Sequence, residues 1–335
     1  MPLVSVIVPC YNEETTIGQL LDGVYAQTFP LADMEVIIAD GYSEDNTRQV
    51  ITTYQAAHPD LVLRLVDNPK RNIPAGLNRA IQAAQGKYLV RLDAHSKPYP
   101  DYVRLCVADL EAGCGENVGG VWEIQPGGSD WQARAIAAAA AHPLGVGDAR
   151  YRFSDKAQLT DTVPFGAFQR ELVDQVGWYD ESLLTNEDYE LNTRIRQAGG
   201  RIWLNPAIRS VYYARPTLGA LARQYWRYGF WKGRMLRRYP NTLRWRQALP
   251  PMFVLVLLGS ALLSIWSPLA KTLFLGIITL YLVTLLAVGF QVAVAKRDVG
   301  MILGIPLAIG CIRCGSFPLV KGRCPYLECL ADHPT

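Results

Sequence analysis

No aspartate or glutamate occurs between Glu190 and Asp298. That absence divides the 335 residues into two unlike parts. Residues 1–190 hold 14 Lys/Arg and 27 Asp/Glu, a net of −13, whereas residues 191–335 hold 19 and 3, a net of +16. An acidic front followed by a basic, apolar back implies two environments, water and then a membrane rim. No secretory leader is expected, since the apolar run after Met1 ends at Pro9 and has no basic stretch before it. The front part is therefore expected in the cytoplasm, with Cys10, Cys106 and Cys114 reduced. Cys311, Cys314, Cys324 and Cys329 cluster near the C-terminus. The Cys311-x-x-Cys314 spacing can open a zinc site, but no ligand-rich knuckle surrounds it, so structural thiols are expected there.

What is present in the front part is an alternation. Leu3–Pro9, Met34–Asp40, Val62–Asp67 and Tyr88–Asp93 are β-branched or apolar runs. Helical patterns over Glu14–Gln27, Asp45–Ala57 and Ala75–Ala84 separate them, with Pro74 where a first helical turn tolerates it. The order predicts an α/β fold, a mostly parallel sheet with helices on both faces. Right-handed crossovers place the C-terminal strand ends on one edge, where ligands bind. Further on, helices are expected over Tyr102–Glu111, Trp131–Ala141 and Glu187–Ala198, and strands over Asn117–Ile124 and Arg201–Leu204. His142–Pro164 is less regular.

After Arg215 the texture changes. Leu218–Tyr239 mixes Tyr225, Trp226, Tyr228, Phe230 and Trp231 with Arg and Lys, which suits the headgroup layer of a bilayer. Such a mix also occurs in nucleic-acid binders, but the apolar runs beyond it argue for membrane lipids and against nucleic acid. Gln247–Ala270 and Thr272–Ala295 are uncharged runs of 24 residues, each long enough to span ~30 Å of hydrocarbon. The expected organisation is a domain over residues 1–215, an interfacial helix region over 216–246, and a membrane region over 247–323. Within the last lie two transmembrane helices (about 248–268 and 272–295) and a third short span or re-entrant segment (299–320), followed by a tail over 324–335. Basic residues before the first span, and Lys296-Arg297 after the second, both point inside. The expected location is the inner (plasma) membrane, multi-pass, with the first domain cytoplasmic.

Chemistry concentrates at the strand ends. The first strand runs into Pro9-Cys10-Tyr11-Asn12-Glu13-Glu14, a turn without the Gly-rich basic loop of a nucleotidyltransferase. The second ends at Asp40, which can accept hydrogen bonds from a base or ribose or cap the next turn. The fourth ends in Asp93-Ala94-His95, where a carboxylate and an imidazole can ligate a divalent ion that takes its other oxygens from a diphosphate. Glu187 and Asp188 open a helix, whose N-terminus favours the carboxylate anion that a general base must be.

These stations together resemble glycosyltransferase family 2. Residues 8–14 resemble its opening strand motif, and Asp40 with Ser43, Asp45 and Thr47 its nucleoside motif. Asp93-Ala94-His95 resembles its Asp-x-Asp metal motif, with His95 where a carboxylate usually stands. Glu187-Asp188 resembles its base motif. Gln224-Tyr225-Trp226-Arg227-Tyr228 resembles the Gln-x-x-Arg-Trp of processive members, with Tyr for Trp. Arg-Leu-Asp-Ala-His-Ser at 91–96, with several shorter patterns, is similar to bacterial exopolysaccharide enzymes of the succinoglycan ExoA type. The resemblance implies a GT-A fold and a nucleoside held by Pro9, Tyr11, Glu13 and Asp40. It places Asp93 at the nucleotide, a divalent metal (Mg²⁺ or Mn²⁺) on Asp93 and His95, and Asp188 as general base. Glu187, Gln224 and Arg227 would contact diphosphate or acceptor.

The function expected on this basis is inverting transfer of a hexose, glucose being favoured, from a UDP-sugar to a lipid-linked (polyprenyl-diphosphate) saccharide. Such a reaction would serve exopolysaccharide or cell-surface glycan synthesis. A processive synthase subunit and a polyprenyl-phosphate glycosyltransferase are the alternatives. A non-catalytic nucleotide-sugar-binding membrane protein is the alternative of another class.

Overall fold

Four apolar runs build the centre of the sheet: β1 (Val4–Cys10), β2 (Met34–Asp40), β3 (Val62–Asp67) and β4 (Tyr88–Arg91). Every residue of β1, β2 and β4 is buried, as expected of parallel strands covered on both faces. A computed structural model describes residues 1–240 and 244–315. In it these strands lie parallel in the order β3-β2-β1-β4, joined through α1 (Ile17–Tyr25), α2 (Thr47–Ala57) and α3 (Ile73–Ala83). Asn72 caps α3 by accepting from the Ala75 amide at 2.9 Å, and Pro74 falls in the first turn, where no amide is needed. The register aligns Cys10 with Asp40 and Asp40 with Asp67, so the chemical residues emerge at one level.

Beyond β4 the sheet becomes mixed. The remaining elements in chain order are β5 (Lys97–Pro98), α4 (Tyr102–Glu111), β6 (Asn117–Pro126), α5 (Trp131–Ala140), α6 (Pro143–Val146), β7 (Gln158–Thr160), β8 (Ala167–Gln169), α7 (Arg170–Val176), α8 (Glu187–Gln197) and β9 (Ile202–Ala214). β8 inserts antiparallel between β4 and β6, and the full order is β3-β2-β1-β4-β8-β6-β9-β5, with β7 on β9. Sequence periodicity misses β5, β7 and β8, which are too short to show a period. It also ends β9 too early, at Leu204. The strand tolerates Pro206 because its partners change there, from β7 at Ile202–Leu204 to β5 at Ser210–Val211. Gly120 is needed where β6 meets β9, because a Cβ would lie 1.8 Å from the Ile208 carbonyl oxygen.

The chain divides into two units, one formed by Met1–Glu123 with Ser154–Tyr212, the other by Ile124–Phe153 with the described residues 213–315. The second unit is helical: α5 and α6, then α9 (Leu218–Arg238), α10 (Trp245–Leu263), α11 (Pro268–Lys296) and α12 (Met301–Gly315). α11 is long and apolar enough to cross a membrane, while the apolar stretches Ala248–Leu263 and Met301–Arg313 are shorter. The turn between α10 and α11 is Ser264–Ser267, so Lys271, the charge that separates the two uncharged runs, lies inside α11; Ser267 caps that helix and Pro268 starts it. α12 buries Met301, Ile305, Ala308, Ile309 and Ile312 within this unit, and it packs on α5, α9 and α11. The alanines of α5 permit that approach: Gly304 of α12 lies against Ala135 and Trp131. Arg134 pairs with Asp298 at 2.7 Å, and Arg313 reaches the Leu144 carbonyl at 2.7 Å. Cys10 and Cys106 are buried thiols. Cys324 and Cys329, the Cys314 side chain and the expected tail over 324–335 lie outside the described residues.

Candidate active site

The loops that follow β1 and β2 are laced together. The amides of Asn12, Glu13 and Glu14 donate to Ser43 Oγ (2.8 Å), Thr47 Oγ1 (2.7 Å) and Asp45 Oδ2 (3.2 Å). In return the Glu44 amide donates to Asn12 Oδ1 at 2.8 Å, and that of Asn46 to Glu14 Oε2 at 2.9 Å. Burial acts to raise the Asp45 pKa, but bonds from Thr47 and from the Glu14 amide outweigh it and hold the carboxyl below its ordinary range. Ser43, Asp45 and Thr47 thus serve the loops themselves. Asn12, Tyr42 and Arg71, which follow β1, β2 and β3, all adopt positive φ, a conformation costly for non-glycine residues and concentrated at functional sites.

Asp40 is fully buried at the tip of β2 and takes bonds from Ser43 and from Arg48 Nε, while Arg48 also reaches Asp67. Pro9 is buried, with Gly76 of α3 packed against it. Tyr11 is half-buried, with Gly41 against its ring and the Arg71 guanidinium 6.0 Å from the ring centre.

Sequence reasoning gave Arg91 no role of its own, yet it organises the other side of the site. It is 2% exposed and binds three carboxylates: Asp93 Oδ1 at 3.0 Å, Glu187 Oε1 at 2.8 Å, and Asp188 Oδ1 through Nη1. The signal available in the sequence was a cation ending a wholly buried apolar strand, which requires paired anions. Burial alone would lower the Arg91 pKa, but the three carboxylates, Asp188 first, push it well above its ordinary value. One cation cannot neutralise three anions. Burial first, and then Glu187 and Asp93, outweigh Arg91 and push the Asp188 carboxyl up to about 7. Burial also raises the pKa of the Tyr179 phenol beside this cluster, keeping it neutral.

α8 presents Glu187 and Asp188 in its first turn, after Asn186 in the left-handed region. The helix is anchored from behind. Glu190, fully buried, takes two bonds from Arg194 at 2.6 and 2.7 Å, and Arg194 reaches the carbonyls of Gly177 and Trp178. Asn192 accepts from Asn117 at 2.6 Å and donates to Thr162 at 2.9 Å.

Asp93 begins a turn closed by the Ser96 amide on the Asp93 carbonyl at 2.9 Å. It carries half-exposed His95, whose Nδ1 lies 3.0 Å from Glu13 Oε1. Asp93 uses only Oδ1 for Arg91, and Oδ2 takes no bond among the described residues. No cluster of three or more His, Cys, Asp or Glu fit to hold a metal occurs among the described residues. A divalent ion would therefore need oxygens from a bound diphosphate besides Asp93 and His95, which is compatible with this donor set.

The structure thus gathers Asp93, Glu187 and Asp188 around Arg91, and Glu13 beside His95. Gln224 and Arg227 belong to α9 in the other unit. There Gln224 is buried, with Nε2 3.1 Å from Tyr228 Oη, while Arg227 is exposed.

A mannosyltransferase from Pyrobaculum calidifontis, solved with GDP-Man and Mn²⁺, aligns over 94% of this chain and 87% of its own at a TM-score of 0.63 and 23% identity. The shared architecture is the GT-A type of α/β fold. Residues 5–177 match the model described as glycosyl transferase family 2, and the chain belongs to that family. The succinoglycan biosynthesis protein ExoA of Rhizobium meliloti is 32% identical over 259 residues, 77% of either chain. A Methanococcus voltae enzyme, named dolichyl N-acetyl-alpha-D-glucosaminyl phosphate 3-beta-D-2,3-diacetamido-2,3-dideoxy-beta-D-glucuronosyltransferase, is 24% identical over 97% of this chain and all of its own. The protein is a glycosyltransferase enzyme.

Proposed function

We propose that this enzyme transfers a hexosyl group, glucose being the favoured one, from a UDP-sugar to a lipid-linked saccharide with inversion at the anomeric carbon. The observation that carries the mechanism is the Asp188 carboxyl, held by Arg91 at the start of α8 and raised to about 7. A base poised near neutrality can take a hydroxyl proton during attack and release it afterwards. The acceptor oxygen forms a bond to the anomeric carbon, its proton passes to Asp188, and the bond to the diphosphate oxygen breaks with its electron pair leaving on the diphosphate. Glu187 shares Arg91 with Asp188 and orients the acceptor. Pro9, Tyr11 and Asp40 form the nucleoside side, with Glu13 between them and His95. Asp93 and His95 would hold Mg²⁺ or Mn²⁺, which would supply charge stabilisation to the departing diphosphate.

The same reading places the protein in the inner membrane of a bacterium, with the catalytic domain cytoplasmic. α10 and α11 form its anchor, α12 is a short third segment, and α9 lies at the headgroups. Support comes from the apolar α11, from the exposed Trp226 among the cations of α9, and from a relative whose name includes a dolichyl phosphate. On α9, Gln224 and Arg227 are assigned to the diphosphate or acceptor.

The test is a transfer assay of purified protein with radiolabelled nucleotide sugars and lipid extracts, with EDTA as control. Asp188→Asn is expected to abolish transfer while nucleotide-sugar binding persists. Normal turnover by that variant sinks the assignment of the base.

A further inference from the structure

We propose that Arg48 and Asp67 together read the edge of the nucleobase, and that they select a base presenting a carbonyl oxygen beside an N–H, as uracil and guanine do. The inference rests on the reading that a nucleoside docks at the tips of β1 and β2. Sequence reasoning gives that contact to Asp40, but the Asp40 side chain is fully buried and already occupied. Its Oδ1 accepts from the Ser43 hydroxyl, and its Oδ2 accepts from the Ser43 amide at 3.1 Å and from Arg48 Nε at 2.5 Å. The charged side chains exposed beside it are Arg48, at 39%, and Asp67, at 52%.

The two are built as a unit. The register of β2 and β3 sets Asp67 beside Asp40, and Arg48 spans both, donating from Nε to Asp40 and from Nη2 to Asp67 Oδ1. Local preference does not explain an arginine here. Arg48 is the second residue of α2, where the helix dipole disfavours a cation. The Tyr42 ring lies against it, its centre 5.6 Å from the guanidinium carbon, and Tyr42 adopts a φ of 58°. Two carboxylates and a ring thus hold the guanidinium in one orientation. Arg48 Nη1 and Asp67 Oδ2 take no bond among the described residues. A donor and an acceptor on neighbouring, exposed side chains are therefore available together. A guanidinium only donates and a carboxylate only accepts. Uracil offers O4 beside N3–H, and guanine offers O6 beside N1–H, so either satisfies the pair. Cytosine and adenine offer an amino group beside an unprotonated ring nitrogen. They set donor against donor and acceptor against acceptor, and leave both protein groups unpaired.

The experiment is calorimetry on the purified full chain with UDP, CDP, GDP and ADP. The quantities read are the UDP/CDP and GDP/ADP affinity ratios, in which base size cancels. The wild type is expected to favour UDP over CDP, or GDP over ADP, by about 10-fold or more. In Asp67→Asn the amide can turn either its oxygen or its NH2 to the base, so the ratio should fall below about 3-fold, with the gain on the amino base. Arg48→Gln should narrow the ratio in the same way. If the two residues only staple β2 to β3, every nucleotide weakens alike and the ratio stands, which overturns the proposal. Asp67 is half exposed, so Asp67→Asn keeps its fold and decides the matter even where Arg48→Gln unfolds. A wild type that prefers CDP or ADP, or that does not discriminate within either pair, also overturns the proposal. GDP bound in place of UDP, and above ADP, would overturn the uridine reading of the donor while supporting the proposal. Binding of none of the four would overturn the nucleoside reading and the proposal with it.

Discussion

Arg91 donates from Nη1 to Asp188 Oδ1, joining residues 97 apart in the chain, the tip of β4 and the first turn of α8. The guanidinium is 2% exposed, so its removal leaves three carboxylates facing one another with little water. Removing one partner of a buried ion pair costs about 3–5 kcal/mol. Arg91→Ala is expected to lower the melting temperature sharply in a thermal scan. Arg91→Lys should fold but bind the three acids poorly, because an ammonium cannot reproduce the guanidinium fork. Its kcat should fall at least tenfold with a smaller change in nucleotide affinity. A wild-type kcat in Arg91→Lys would show that the fork does not hold Asp188.

Acidity provides a second test. Asp188 must be ionised to act as a base, so activity should rise as pH increases through about 7. Its effect on stability has the opposite sign. The folded state holds this proton more tightly than the unfolded chain, whose carboxyl titrates near 3.8. The stabilisation is complete below the unfolded value and is lost as pH rises through about 7. Melting temperatures from pH 5 to 8 should therefore fall less steeply in Asp188→Asn than in the wild type. Parallel slopes in the two proteins would contradict the raised carboxyl.

The parallel half of the sheet was legible because β1 to β4 are runs of β-branched residues separated by helix-period segments. β8, only three residues long, was not, because its place between β4 and β6 is set by pairing far along the chain. The site shows the same division. Asp93, Glu187 and Asp188 stood out as acids at element ends, but the residue that gathers them looked like one more strand residue. Ser43, Asp45 and Thr47 could be noticed as a pattern, whereas their bonds to the amides of 12–14 depend on two loops meeting. In the apolar C-terminal run, hydropathy alone did not reveal that Ser267 and Pro268 interrupt a helix.

That lacing makes a prediction separable from catalysis. Thr47→Val keeps the shape of the side chain but leaves the Glu13 amide without its acceptor, a loss of about 1–3 kcal/mol for a buried donor. Ser43→Ala does the same to the Asn12 amide. Both variants should bind nucleotide more weakly by calorimetry and raise KM for the nucleotide sugar. Maximal turnover should be less affected, since Asp188 and Arg91 are untouched. A fall in kcat with KM unchanged would place the two residues elsewhere in the mechanism.

The helical unit can be probed without touching the chemistry. A Cβ on Gly304 would lie 2.4 Å from the Cβ of Ala135, so α12 and α5 fit only while residue 304 has no side chain. Gly304→Leu is expected to force them apart at a cost of about 1–3 kcal/mol or more. On α11, a side chain at Gly289 would stand 2.6 Å from the Ile302 carbonyl oxygen, so Gly289→Leu should be destabilising too. Leu303 on α12 is 64% exposed, and Leu303→Ala should be nearly silent. The comparison to make is the thermal stability of the three detergent-solubilised variants. If Gly304→Leu and Leu303→Ala melt alike, α12 does not pack through its glycine face.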